Sequence, residues 1–292
     1  MKRQLLQQRL KSNIAGQTGH YQPRGSYVKK PLLTRVLLAI AGWTGLESCY
    51  EPVSATFAGT SALRRTIGAN ASTDFTTVSM WVYVPTGTVS QKIYDIGDTG
   101  GVASETTRLR IDTGGLLDTL IANFNDGSAW DVMAQVSNIP FVADSWNHLY
   151  MTARNGANGG PNLDVWLNGS LAAAGSANPD ITWSPDSTID FLVNDDVVIG
   201  ARHNLTQHFV GGMADIWTSS RYMDAATNVP LFFSHAVIPG WTNGTPRPVG
   251  TVVNGITAGN FLGGQGYTID DWNNGLNKGA NGDFTLDGDP LT

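Results

Sequence analysis

Two short segments constrain this chain most, because in each of them the character of the side chain changes at every second residue. In the first, residues 144–151, Trp146, His148 and Tyr150 fall on one face of an extended strand and aliphatic residues fall on the other. The second segment, residues 163–170, alternates in the same way. The two segments therefore predict strands of a sheet rather than helices.

A tight turn is expected at the end of the second segment. Asn168 and Gly169 close it, and both central residues of a two-residue hairpin turn need a positive φ, which Asn and Gly tolerate better than other residues. The sequence predicts that the chain reverses direction at these two residues.

Composition and patterning favour an all-β body. The 292 residues include 34 Gly and nine Trp, and short alternating runs are separated by Gly, Asn, Asp and Pro clusters, which is typical of a two-sheet sandwich. Residues 78–84 have two apolar or aromatic faces, so we expect a central strand there. A short helical turn is expected over residues 220–228.

Five motifs in order resemble one known superfamily. The Trp-x-His strand and the apolar strand ending in Asn-Gly together make one motif, and the other four matches lie in residues 57–61, 78–85, 198–200 and 209–217. Together they resemble the laminin-G-like, concanavalin A-like lectin and glucanase superfamily, over roughly residues 53–229. The resemblance implies an all-β fold, a two-sheet antiparallel jelly-roll sandwich.

Three regions are predicted along the chain. Residues 1–52 form a basic N-terminal arm and connector, and residues 53–238 form the jelly-roll domain. Residues 239–292 contain twelve Gly and four Pro, and they are expected to be an extension that packs on or beside the sandwich. Cys49 is the one cysteine of the chain, so no disulfide can form within it.

Charge is distributed unevenly between the arm and the rest. Residues 1–36 hold eight basic side chains and no acidic one, whereas residues 66–292 carry a net charge of −14. Such an arm could touch nucleic acid, an anionic membrane or an acidic protein neighbour. We favour the protein neighbour, because the basic groups are spread out and lack interleaved aromatics. The predicted anchoring residues are Lys2, Arg3, Arg9, Lys11, Arg24, Lys29 and Lys30.

Catalysis is not expected. The enzymes of the superfamily that the chain resembles, the laminarinase-type glucanases, retain configuration with two carboxylates about 5 Å apart, usually in a Glu-x-Asp-x-x-Glu strand. This chain has only Glu47, Glu51 and Glu105, and none of them stands in that pattern. The sequence therefore predicts a protein that is not an enzyme.

Calcium and glycan sites are suggested by the resemblance and by the residue types. Many laminin-G-like domains bind calcium at the sandwich rim through Asp carboxylates, and Asp215 stands in the matching Gly-x-x-Asp segment, although Ala214 replaces the acid that is common before it. A glycan site needs an aromatic platform with polar donors. Asp126, Trp130 and Trp183 are the candidate residues for that site.

The function favoured by these features is that of a non-enzymatic structural protein of a bacteriophage virion, in its tail or head. The ending at residues 281–286 is similar to those of jelly-roll proteins of tailed bacteriophages. The arm would bind other virion proteins in several copies or a homo-oligomer, and the body would bind a host-surface glycan or a neighbouring protein. Membrane or nucleic-acid partners are not expected. The alternative is a secreted carbohydrate-binding module, and a glycan hydrolase is a third reading.

Overall fold

The computed structural model describes most of the region after the arm. The described residues are 52–66, 75–87, 90–97, 105–112, 116–125, 129–154, 162–172, 196–202, 204–219, 221–236, 240–247, 260–262, 268–276 and 283–292. The chain divides into two units between Ser48 and Cys49. All of the described residues belong to the second unit, and the predicted anchoring residues of the arm lie outside them.

The described part of the chain is mostly β-strand, with two short helices. In chain order the elements are β1 (Ala55–Ala58), β2 (Ala62–Thr66), β3 (Phe75–Val84), β4 (Gln91–Gly97), β5 (Glu105–Asp112), β6 (Leu116–Asn125), β7 (Ala129–Pro140), β8 (Ser145–Arg154), β9 (Asn162–Leu167), β10 (Ser170–Leu171), β11 (Asp196–Ile199), β12 (Val210–Ser219), α1 (Ala225–Phe232), β13 (Phe233–Ser234), β14 (Thr245–Pro246), β15 (Asn260–Leu262), α2 (Ile269–Asn273) and β16 (Thr285–Asp287).

Two antiparallel sheets form the sandwich. Sheet A has the order β1-β12-β3-β8-β9-β10, with β15 also paired to β12, and sheet B has the order β16-β2-β11-β4-β5-β6-β7. A separate two-stranded ribbon pairs β13 with β14. The predicted all-β, two-sheet antiparallel sandwich is confirmed, and β3 is a central strand as predicted.

The core between the sheets is aliphatic because the strands alternate. On β3, Val78, Met80, Val82 and Val84 are fully buried and join this core, and Leu149 and Met151 of β8 face the same way. Burial of each such side chain stabilises the fold by about 1.5 to 3 kcal/mol.

The predicted hairpin turn is present. Asn168 has a φ of 52° and Gly169 a φ of 76°, as the turn requires. The Asn168 side chain contributes as well, since its Oδ1 accepts a hydrogen bond from the backbone N–H of His148 at 2.9 Å and its Nδ2 donates to Asn147 Oδ1 at 3.1 Å. The turn thereby fixes the register between β8 and β9.

The predicted helical turn begins later than expected. Asp224 caps the helix, because its carboxylate accepts a hydrogen bond from the backbone N–H of Thr227 at 3.0 Å. The helix α1 therefore starts at Ala225 and continues to Phe232, and it includes Pro230. No described helix is long and apolar enough to cross a membrane.

Candidate functional site

The outward face of sheet A differs in kind from its inward face. Ser79, Trp81 and Tyr83 alternate with the aliphatic residues of β3, and Trp146, His148 and Tyr150 alternate with those of β8. The register pairs Tyr83 with Trp146 and Trp81 with His148. This face is aromatic and polar, which is the composition that carbohydrate-binding surfaces use.

Most of that face is covered by the chain itself. The covering segment, residues 221–236 and 240–247, is called the strap below. Its Phe232 packs against Trp217 with ring centroids 5.1 Å apart. Phe233 stacks on Trp81 at 5.8 Å and on His148 at 5.4 Å. Trp241 meets Trp81 edge-on at 5.0 Å.

Hydrogen bonds fix both ends of the strap. At its start, the Tyr150 hydroxyl donates to the Met223 carbonyl at 2.8 Å and the Thr77 hydroxyl donates to the Arg221 carbonyl at 2.6 Å. Near its end, Asn243 Nδ2 donates to Ser145 Oγ at 3.0 Å and to the Trp146 carbonyl at 2.9 Å. The strap therefore belongs to the folded domain.

The energy of this packing rules out opening of the strap for a ligand. The seven large buried side chains of the cluster are Trp81, Tyr150, Trp217, Val229, Phe232, Phe233 and Trp241. Exposing them would cost on the order of 10 to 20 kcal/mol at about 1.5 to 3 kcal/mol each. A whole domain is stable by only about 5 to 15 kcal/mol. The covered area is thus a second core, and a ligand can reach only its margin.

His148 lies inside this second core. It is fully buried, its Nε2 and the Ser79 hydroxyl oxygen are 3.0 Å apart, and its Nδ1 has no hydrogen-bond partner in the described part of the chain. Burial lowers the pKa of His148 to about 3, because a charged imidazolium would lose its hydration there. The side chain is therefore neutral at physiological pH.

One margin of the face stays partly open, at the end where β3 finishes and β8 begins. Tyr83 and Trp146 are half-buried there, with ring centroids 5.8 Å apart in an edge-on arrangement. Trp146 also stacks on Trp241 at 4.8 Å. Together with the strap residues Thr242 and Asn243, these two aromatic residues form what we call the ledge.

A glycine makes room for the ledge. A Cβ atom at Gly212 would come within 2.9 Å of Cη2 of Trp146 and within 3.2 Å of the Tyr83 Cβ. Any larger residue at this position of β12 would displace the indole. Glycine at this position therefore lets Trp146 lie across the sheet.

Polar groups of the ledge remain available to a ligand. The Tyr83 hydroxyl and the Trp146 indole N–H make no hydrogen bond to any described residue, and the same is true of the Asn243 Oδ1. Thr242 is exposed, and its hydroxyl is 2.8 Å from Ser145 Oγ. The ledge therefore offers two flat rings, donors and an acceptor at one place on the surface.

An ionised carboxylate stands beside the ledge. Asp144 is exposed, and it accepts hydrogen bonds from the backbone N–H of Thr86 at 3.0 Å and from the Thr86 hydroxyl. These hydrogen bonds lower the pKa of Asp144, because they favour the charged form. The two loops at this end of sheet A are thereby joined by a carboxylate that stays charged.

The residues predicted to bind glycan are not among the described residues that define the ledge. Asp126 and Trp183 lie outside the described residues, and Trp130 is described only through its backbone, in β7 of sheet B. A glycan site at these three positions stays a prediction. The sequence pattern placed Trp146 on the face of its strand opposite the aliphatic residues, but it did not indicate which face points outward or that the strap would leave its margin uncovered.

Asp215, the residue predicted to bind calcium, is buried in β12 with 2% of its surface exposed. The pairing with β3 shifts register between Ala214 and Trp217, so Asp215 lies in a bulge, and its φ is 47°. Among the described residues no group of three His, Cys, Asp or Glu side chains could hold a metal ion. Calcium binding stays a prediction.

The outward face of sheet B carries paired charges rather than aromatic rings in its described part. Arg64 of β2 forms an ion pair with Asp196 of β11, and the Thr66 hydroxyl donates to the same carboxylate at 2.5 Å. Asp95 of β4 is 1% exposed and Asp196 is 3% exposed. These carboxylates are buried, which makes this part of sheet B a poorer surface for a ligand than the ledge.

Comparisons with known proteins place the chain in a superfamily. The sequence profile described as the concanavalin A-like lectin/glucanases superfamily matches residues 58–227. No curated protein matches the chain by sequence.

Several solved structures are similar at low identity. A Bacteroides ovatus protein proposed to bind carbohydrate is 13% identical with a TM-score of 0.45, covering 83% of this chain and 60% of that one. Domains LG4-5 of the mouse laminin α1 chain are 13% identical with a TM-score of 0.41, covering 62% and 46%. The CBM40 of the Ruminococcus gnavus IT-sialidase, bound to α2,3-sialyllactose, is 13% identical with a TM-score of 0.41, covering 61% and 97%.

The chain spans less than two thirds of the length of the first two of these structures. The assignment accordingly rests on the sequence profile, which matches more than half of the chain from β1 to α1. The chain therefore belongs to the concanavalin A-like lectin and glucanase superfamily.

Proposed function

We propose that this protein binds a glycan without cleaving it. The observation that carries the proposal is the ledge, where the half-buried rings of Tyr83 and Trp146 stand beside polar groups on an otherwise closed aromatic face. Membership of a superfamily of lectins and glucanases supports it. The scarcity of glutamate favours binding over turnover, since the chain has three Glu residues and none in the glucanase pattern.

A glycan array tests this function. The full-length chain is expected to bind a defined subset of neutral glycans and to leave them intact by mass spectrometry.

Calcium at Asp215 is part of the proposal, so a chelator or Asp215→Asn is expected to weaken binding. Equal binding with and without chelator would reject the calcium site but would leave glycan binding in place. If the chain binds no glycan in either condition, glycan binding is rejected. If cleaved products appear, a role without turnover is rejected.

We further propose that the protein is a structural component of a bacteriophage virion, present in several copies and held by its arm to other virion proteins. The support is electrostatic: residues 1–36 contain eight basic and no acidic side chains, whereas residues 66–292 carry a net charge of −14. Opposite charges of this size speed association and favour the matching partner. A secreted carbohydrate-binding module is the alternative, and it has no need of such an arm.

Removal of the arm separates these two roles. A chain lacking residues 1–30 is expected to keep its thermal midpoint and solubility but to be lost from purified particles, because the described strands of the sandwich begin at Ala55. A full-length control with the seven anchoring residues changed to Gln keeps the length and removes the charge. A truncated chain that melts far lower, or that still enters particles, would contradict the anchoring role.

A further inference from the structure

The surroundings of the ledge restrict the kind of sugar that it can accept. This argument rests on the proposed glycan binding and concerns the identity of the ligand. The pyranose ring of a sugar has an apolar face of C–H groups and a rim of hydroxyls. The ledge matches both, since the rings of Trp146 and Tyr83 are half-buried and edge-on to each other, with one side of Trp146 stacked on Trp241, and polar atoms lie around them.

The polar groups of the ledge are neutral. The Tyr83 hydroxyl and the Trp146 indole N–H can donate hydrogen bonds, and Asn243 Oδ1 can accept one, since Asn243 uses its Nδ2 to hold Ser145 and Trp146. A site built to pair sugar hydroxyls rejects analogues that lack them, because its own polar groups would be left unpaired. These groups suit a ligand with hydroxyl or amide substituents.

The charge at the ledge is negative. The segments around the ledge, residues 83–87, 141–146, 208–212 and 240–244, contain Asp144 and no Lys or Arg, and their other titratable side chains are Tyr83 and His208. Asp144 lies in the turn before β8, with a φ of 53°, and it precedes Trp146 by two residues, so the two Cα atoms are at most about 7 Å apart. That separation is within the Debye length of about 8 Å at physiological ionic strength.

Asp144 cannot easily turn away from the ledge. Both of its carboxylate oxygens are held by Thr86, and its backbone N–H donates to the Val84 carbonyl at 2.8 Å. Its charge is therefore held between the loop that follows Tyr83 and the start of β8, which carries Trp146. A sugar carboxylate or sulfate stacked on Trp146 would be repelled, whereas a neutral sugar would not.

We infer that the ledge is a binding site for neutral pyranose glycans, in which Trp146 and Tyr83 contact the sugar and Asp144 excludes acidic sugars. Asp144 is thus a specificity residue that acts through charge. The role of Trp146 and Tyr83 is direct contact with the ligand.

Four variants of the full-length chain test this assignment on an array of matched neutral and acidic glycans. Trp146→Ala is expected to weaken neutral glycan binding about tenfold or more, because stacking and apolar contact are lost. Tyr83→Phe keeps the ring and is expected to cost about threefold or more through the lost hydrogen bond. Trp166→Ala removes a half-buried Trp of the same sheet face outside the ledge, and it should leave binding within about twofold.

The fourth variant, Asp144→Asn, addresses selectivity. It is expected to raise the binding of acidic glycans relative to neutral ones about threefold or more, by removing the repulsion. Urea midpoints check that each variant is folded, and Tyr83→Phe and Asp144→Asn keep the test valid if Trp146→Ala does not fold.

The failure of this assignment is distinguishable from failure of the proposed function. Glycan binding that persists in both Trp146→Ala and Tyr83→Phe would place the site elsewhere while leaving the function intact. Acidic glycans bound as tightly as their neutral partners, with no effect of Asp144→Asn, would overturn the selectivity. A full-length chain that binds no glycan at all would overturn both proposals.

Discussion

Replacing Trp272 by alanine is expected to lower the free energy of unfolding by about 3 to 5 kcal/mol, the range for deleting a buried Trp or Phe side chain. Trp272 is fully buried in α2 and joins the core between the sheets. Its indole N–H also donates to the carbonyl of Val53, next to β1, at 3.0 Å. One side chain thus connects the C-terminal segment to the start of the sandwich.

The effect should be large because the same segment closes both sheets at one side. β16 pairs with β2 at the edge of sheet B, and the backbone N–H of Thr56 in β1 of sheet A donates to the carbonyl of Thr292 at 2.7 Å. Asn273, next to Trp272, holds the segment together by accepting from the Leu291 N–H at 2.6 Å. Loss of the Trp272 side chain removes the packing that supports all three contacts.

Urea titrations of the purified protein measure this effect. Trp272→Phe is the matched variant, since it keeps much of the apolar contact and loses the hydrogen bond, and a smaller loss of about 1 kcal/mol from the missing bond is expected. Trp166→Ala, at a half-buried position, controls for loss of a Trp in general. If Trp272→Ala unfolds at the wild-type midpoint, the C-terminal segment does not contribute to the cooperative core.

Sequence patterning predicted those parts of the fold that depend on neighbours in the chain. The alternation in β3 and β8 gave the two faces of sheet A, because side chains of a strand point to opposite sides at every second residue. Asn168-Gly169 gave the turn, since few residues adopt its positive φ. The order of the motifs gave the superfamily, which the sequence profile confirms.

Contacts between distant parts of the chain could not be predicted in this way. Trp81 looked like the second apolar face of a central strand, and only the folded chain shows that Phe233 and Trp241, some 150 residues later, cover it. The ledge depends on the same covering of sheet A by the strap, because Trp146 is half-buried only where the strap ends. Gly212 can be seen in the sequence, but the Trp146 side chain for which it makes room comes from a different strand.

The bulge at Asp215 was missed for a related reason. Residues 209–217 were matched to the superfamily as one uninterrupted motif, whereas the pairing of β12 with β3 contains one extra residue at Asp215. A bulge is decided by the partner strand as well as by its own residues. The aspartate tolerates the resulting positive φ better than most residues.

Acid is expected to destabilise the protein through His148. An unfolded chain binds a proton at this residue below its ordinary pKa of about 6.5, whereas burial lowers the pKa of the folded protein to about 3. Between these two values the unfolded state binds more protons, so stability falls as the pH is lowered. From pH 7 to pH 4 this single group should remove roughly 3 kcal/mol, at about 1.4 kcal/mol per pH unit.

The loss should be traceable to the second core. His148 is stacked by Phe233 at 5.4 Å and meets Trp81 at 5.1 Å, so a charged ring there would be held between two aromatic side chains without water. His148→Phe keeps an aromatic ring and removes the titration, and its stability should fall less steeply between pH 6.5 and pH 4 than that of the wild type. Carboxylates contribute equally to both proteins, so the difference in slope isolates His148.

Urea midpoints at half-unit intervals of pH supply the measurement. Tryptophan fluorescence adds a local readout, because Trp81 and Trp241 surround the site and should report its opening together with global unfolding. The interpretation fails if His148→Phe and the wild type lose stability in parallel between pH 6.5 and pH 4. That result would mean that His148 gains a proton in the folded state without cost, and hence that the strap does not exclude water from the aromatic face of sheet A.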